Sequence, residues 1–472
     1  MSGRFFSWLE RFVAWLVRRM PGEQQRTLAV TIVAGGLCGL AAVLFHRSIG
    51  WVEILVIDRA NSAPGDSWIW WTILCPALGG LIAGLGLTYF APAAAGSGIP
   101  QVEVAYTLRN GLITLRETVG KFVLCAIQIG SGASLGLEGP TVQICAGVSS
   151  LLARAARLSP RNCRRMVSVG MAAGIAAAFN APIAAVTFTL EELIGDLDQT
   201  MLSGVIVAAA LAAVVEHSIL RSTDPVFHLQ RTYALANTSS LLWYALLGIL
   251  AAIVSVAFTD SLLWLRGWFK RLKYVPKWIQ PGIGGLAVGC LAVVGLALFH
   301  QNGIAGDPYK TLTLALTGNL GALPVVAMAV FCVLKLVSTV CSYSSGGAGG
   351  IFAPALFMGG MLGGTVGYLD VTVFHHPSDA IGAFAVVGMG AVFAGIIRAP
   401  MTSVLIIFEM TGGYGLILPL MIANMSAFAL ARHWRPIPIY EALLAQDGIQ
   451  LPHGGGIGGP PDEYFLDVEA AH

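Results

Sequence analysis

Charge is what this sequence has least of. Asp, Glu, Lys and Arg make up 11% of its 472 residues, against roughly 25% in ordinary soluble domains. That excludes a water-facing surface over most of the chain. The signs nearly cancel, leaving a net charge of +2, so no broad positive field invites a nucleic acid partner. Of the eight cysteines, Cys38, Cys75, Cys125, Cys290 and Cys332 lie inside apolar runs, and no CxxC pair or metal-ligand spacing occurs. They read as small core residues rather than disulfides or ligands. The nine histidines are scattered, and neither an HExxH motif nor a phosphate-binding loop is present. A membrane-embedded enzyme would need convergent acid, base or metal groups that are missing here, and no cofactor is implied.

What the chain has instead is apolar length. Hydrophobic residues make up 56%, and many runs approach the roughly 20 residues that cross a bilayer as a helix. The expected fold class is an all-α polytopic membrane protein. Residues 3–19 carry Phe5, Leu9, Phe12 and Leu16 at helical spacing beside arginines, which predicts an amphipathic helix at the cytoplasmic interface within a segment 1–26. A secretory signal would not be interrupted by Glu10, Arg11 and Arg18. Five arginines and no acid between 154 and 165 mark a cytoplasmic loop. Two membrane halves are expected at 27–225 and 226–446, then a glycine- and proline-rich flexible cytoplasmic tail at 447–472. Both termini are therefore placed in the cytoplasm.

Three glycine loops break the apolar pattern: Gly96-Ser97-Gly98-Ile99-Pro100, Gly136-Leu137-Glu138-Gly139-Pro140, and Gly349-Gly350-Ile351-Phe352-Ala353-Pro354. Each ends in a proline, which tolerates the first turn of a helix, so each predicts a helix start. After the second loop the helix is expected over Thr141 to Ala153. Helix N-termini carry unpaired N–H groups and partial positive charge, and so suit an anion. One such loop reads equally well as a turn between spans; three in one chain do not. Glu138 sets a carboxylate at the mouth of one of these helices, in an apolar setting where a charge is functional by default. Short runs such as 182–190 read as broken helices of the kind that line a site inside a transporter.

The chain also repeats itself. At an offset of 214, Lys121, Ser131, Gly132, Gly136 and Pro140 fall on Lys335, Ser345, Gly346, Gly350 and Pro354. At 218, Ala181-Pro182 falls on Ala399-Pro400 and Glu191 on Glu409. Glu138 and Glu192 have no counterpart, falling on Phe352 and Met410. The unduplicated acids are the functional candidates, whereas Glu191 and Glu409 read as structural caps or acceptors. Glu103 and Lys121 are expected to pair as buried charges.

These motifs, with Phe179-Asn180-Ala181-Pro182, Arg398-Ala399-Pro400 and Pro438-Ile439-Tyr440, resemble the CLC family of chloride channels and chloride/proton antiporters over residues 27–445. The resemblance implies two inverted repeats with many tilted, broken helices, a homodimer, and residence in a bacterial inner membrane as the short type without CBS domains. It implies a chloride cradle of Ser97 and Tyr440 hydroxyls and Ile351 and Phe352 N–H groups. It makes Glu138 the external gate and Glu192 the internal proton carrier. The expected function is exchange of chloride for protons; the alternative is a passive, voltage- or pH-gated chloride channel of the same fold. Ser97 in place of a proline points to chloride over nitrate. The branch that exports fluoride departs from these loop motifs. Leu137 stands where the family usually has Arg or Lys, and Gln101 where an acid is common.

Overall fold

In the computed structural model, residues 22–194, 199–220, 226–227, 233 and 239–451 are described, apart from 307, 319, 322, 378 and 379. The expected interfacial helix at 3–19 and most of the expected tail lie outside them. Among the described residues the architecture is helical, and nine helical stretches are long and apolar enough to cross a membrane.

The first half runs through α1 (Glu23–Glu53), α2 (Ser67–Leu85), α3 (Ile99–Thr107), α4 (Leu115–Gly130), α5 (Glu138–Ala155), α6 (Pro160–Phe179), α7 (Pro182–Thr189) and α8 (Gln199–Leu220). The second comprises α9 (Ser240–Arg271), α10 (Gln280–Phe299), α11 (Tyr309–Leu316), α12 (Val325–Ser344), α13 (Phe352–Phe374), α14 (Ala380–Ile397), α15 (Pro400–Thr411), α16 (Ile417–Trp434) and α17 (Ile439–Gln446). A helix apolar on every face belongs in an interior. Accordingly α14, eighteen residues long without a single charge, is buried along nearly its whole length.

The internal repeat is visible in three dimensions. Ser131 and Ser345 end α4 and α12 in the same backbone conformation, and the following Gly132 and Gly346 both have positive φ, +106° and +93°. Gly136 and Gly350, equivalent by sequence, exchange two main-chain hydrogen bonds: Gly136 N–H to Gly350 O at 2.7 Å and Gly350 N–H to Gly136 O at 2.6 Å. Equivalent residues paired antiparallel lie on a local two-fold axis, as expected of halves that face each other inverted.

Two expectations need correction. Helix α5 begins at Glu138 itself, with Leu137 as its N-cap, rather than at Thr141. The carboxylate therefore belongs to the first turn. Glu103 and Lys121 do not pair. The Lys121 amine, fully buried, donates to the carbonyls of Ala94 (3.0 Å) and Gly96 (2.6 Å). It anchors the loop before α3 through two main-chain oxygens, one of which, Gly96 O, also accepts the Gly349 N–H.

Candidate anion and proton site

The three glycine loops meet. Gly96 N–H donates to Gly347 O (3.0 Å) and Gly349 N–H to Gly96 O (3.1 Å), joining the first loop to the third. The Gly136–Gly350 pair joins the second to the third. Contact between the first and second is closer than any side chain allows: a Cβ on Gly98 would strike the carbonyl of Gly139, and one on Gly139 the carbonyl of Ser97. Gly98 also sits at φ +108°, a conformation open to glycine. The sequence Gly96, Gly98, Gly136, Gly139, Gly350 is thus what lets three helix starts, α3 at Ile99-Pro100, α5 at Glu138-Gly139-Pro140 and α13 at Phe352-Ala353-Pro354, converge.

Gln101 gives the first loop its shape. Its Oε1 accepts the Gly98 N–H (2.9 Å) while its Nε2 donates to Ala95 O (2.9 Å). An acid at this position would lack the donor, so the departure from the family pattern has a local reason.

Within this junction the predicted residues fall as follows. Ser97 is fully buried; its N–H donates to the Tyr343 hydroxyl (3.2 Å), but its own Oγ has no hydrogen-bond partner among the described residues. Tyr440, at the start of α17 and 1% exposed, is its near neighbour, and the Tyr440 hydroxyl is likewise unpartnered. Two buried, unpaired donors side by side are costly unless something accepts from them. Ile351 caps α13, and the first N–H groups of that helix, those of Ile351 and Phe352, precede its hydrogen-bond ladder. The Phe352 ring is held by Phe179 (5.9 Å), Phe188 (5.4 Å) and Phe393 (5.0 Å), drawn from α6, α7 and α14.

Glu138 is fully buried. Its side chain folds back over Gly136, where a Cβ would collide with Oε2. Oε2 accepts the Ala353 N–H at 3.4 Å, so the carboxylate lies at the N-terminus of α13. Oε1 accepts from the Tyr309 hydroxyl at 2.6 Å, within the range of a charge-assisted hydrogen bond. Tyr309 was invisible to motif reading. It lies 171 residues from Glu138 in the chain, in a helix of eight residues that no spacing rule marks. Leu137, partly exposed, contributes no donor beside it.

Glu192 sits in the π-helical turn Leu190–Ile194 that prolongs α7. It neighbours buried Glu103 of α3, with Glu441 of α17 the next acid. The two unduplicated carboxylates, Glu138 and Glu192, therefore lie in different surroundings: one against helix N-termini and a tyrosine, the other among acids.

Residues 79–432 match the family described as voltage gated chloride channel. The chain belongs to this family. It is 31% identical over 445 residues to the H(+)/Cl(-) exchange transporter ClcA of Salmonella arizonae, covering 91% of each chain. The ClcA protein of Salmonella typhi matches at 31% over 444 residues, again 91% of each. Among solved structures, a slow cyanobacterial Cl-/H+ antiporter superposes with a TM-score of 0.80 at 25% identity, covering 89% of this chain and 98% of that one. A eukaryotic CLC transporter (TM-score 0.71, 22% identity, 90% and 74% covered) and a CLC-type fluoride/proton antiporter (0.71, 21%, 88% and 97%) share the fold. This CLC protein is accordingly a multi-pass membrane transport protein with the CLC fold, and not an enzyme.

Proposed function

We propose that this CLC protein exchanges chloride for protons across the bacterial inner membrane, as a homodimer with both termini cytoplasmic. Chloride is a weakly hydrated anion that accepts hydrogen bonds, and neutral donors can hold it without trapping it. The Ser97 and Tyr440 hydroxyls with the Ile351 and Phe352 N–H groups form such a cradle, framed by Gly96, Gly98, Ile99, Pro100, Gly136, Leu137, Gly139, Pro140, Gly350, Ala353 and Pro354. The unpartnered buried hydroxyls of Ser97 and Tyr440 support this assignment.

One observation carries the exchange reading: the Glu138 carboxylate, itself an anion, rests against the first N–H groups of α13. A group there competes with chloride while ionised and gives way once protonated, so a single side chain links the two ions. Glu192, unduplicated and close to Glu103, is the proton's inner station. Identity to proteins named as H(+)/Cl(-) exchange transporters supports exchange over passive conduction.

Reconstitution into liposomes tests this directly. An imposed chloride gradient should drive protons against their own gradient; chloride flux without proton movement would leave the passive channel as the correct reading.

A further inference from the structure

We propose that Tyr309 is a positioning residue that latches Glu138 in the anion pathway and so sets how readily the gate yields to chloride. The inference rests on the reading of Glu138 as that gate. Both oxygens of the carboxylate are held: Oε2 by the Ala353 N–H at 3.4 Å, Oε1 by the Tyr309 hydroxyl at 2.6 Å. The hydroxyl bond is the shorter of the two by far.

The tyrosine does not depend on Glu138 for its position. It opens α11 directly after Pro308, and its ring is braced edge-on by Phe227, with centroids 5.5 Å apart and planes at 67°. Phe227 is 1% exposed and tied by its N–H to Met410 O at 3.1 Å. The donor is therefore presented to the carboxylate by packing, as a preorganised group. Leu137 rules out a cation at the adjacent position, where Arg or Lys would draw the carboxylate by charge alone. A hydroxyl acts differently. It holds an ionised carboxylate about twice as strongly as a neutral acid, so protonation weakens the latch when the side chain has to leave.

The test is a double-mutant cycle read by chloride binding to the purified full-length protein in detergent, using titration calorimetry with sodium chloride. Tyr309→Phe removes only the hydroxyl and keeps the ring against Phe227. It should tighten chloride binding by about ten-fold, the scale of one charge-assisted hydrogen bond lost to the competitor. It should also raise turnover in liposomes while leaving the proton-to-chloride ratio unchanged. In a Glu138→Ala background the same change should do nothing, because the competitor is gone. An equal effect in both backgrounds, or none in the wild type, overturns the proposal. Phe227→Leu, which loosens the ring but keeps the hydroxyl, should give a smaller effect in the same direction, again only when Glu138 is present. The cycle needs only competition between Glu138 and chloride. Wild-type vesicles that pass chloride without protons would thus remove the exchanger reading and leave the latch to be judged by binding.

Discussion

Glu191 and Glu409 cap each other's counterpart helices. The Glu191 carboxylate accepts N–H groups from Met401 (3.0 Å) and Thr402 (2.8 Å) at the start of α15. Glu409 accepts those of Ile183 (3.1 Å) and Ala184 (2.7 Å) at the start of α7. Both helices open with a proline, Pro182 and Pro400, which leaves their remaining first-turn donors in need of acceptors. The two acids are repeat equivalents, so each half completes a helix of the other.

Replacing either with alanine should lower stability by about 1–3 kcal/mol, the cost of stranding one buried N–H group, that of Ala184 or Thr402, since the other N–H of each pair is exposed. The proton-to-chloride ratio of the protein that remains folded should not change. Thermal unfolding in detergent, followed by the transport ratio in vesicles, checks both halves of this expectation.

Glu138→Gln keeps the shape and an acceptor but removes the titrating proton and the negative charge. Chloride flux should continue, and its ability to pump protons should disappear. Proton uptake against a gradient by mutant vesicles would falsify the gate assignment.

Glu192→Gln removes a titrating proton while keeping side-chain shape and all four proposed chloride donors. Proton movement should fall much more than chloride movement. Parallel loss of both fluxes would make Glu192 a structural residue instead.

Ser97→Ala deletes one of the two unpartnered hydroxyls and leaves no buried group stranded in its place. Chloride binding should weaken by about five- to ten-fold, the net worth of a typical hydrogen bond, with melting temperature unchanged or slightly raised. Unaltered affinity in a calorimetric titration would remove Ser97 from the cradle.

Gly98→Ala forces a methyl group into the Gly139 carbonyl at a positive φ. The strain and overlap should cost more than about 2 kcal/mol. Low yield of folded protein and a depressed unfolding temperature are the expected readouts.

Local signals reached far in this chain. The glycine-proline loops marked where α3, α5 and α13 begin, though α5 starts three residues ahead of the expected Thr141, and the duplicated acids were legible as caps because duplication argues against a one-sided role. Distance in sequence limited the rest. Glu103 and Lys121 looked like a pair by charge alone, but a buried amine found carbonyls nearer, and Glu103 turned to another acid. Tyr309 carries no motif; what matters about it is a hydroxyl brought to Glu138 by tertiary packing, which no linear pattern records. The Gln101 departure acquired meaning only once both ends of its amide could be traced to named backbone atoms.

The Gly136–Gly350 seam is held through peptide groups alone, and it has no room for a side chain: a Cβ on Gly136 would meet Glu138 Oε2, and one on Gly350 would press on the Gly136 carbonyl. A shift of one half against the other would therefore be felt at this seam, and it would carry Ser97 of the first half relative to Ile351, Phe352 and Tyr440 of the second.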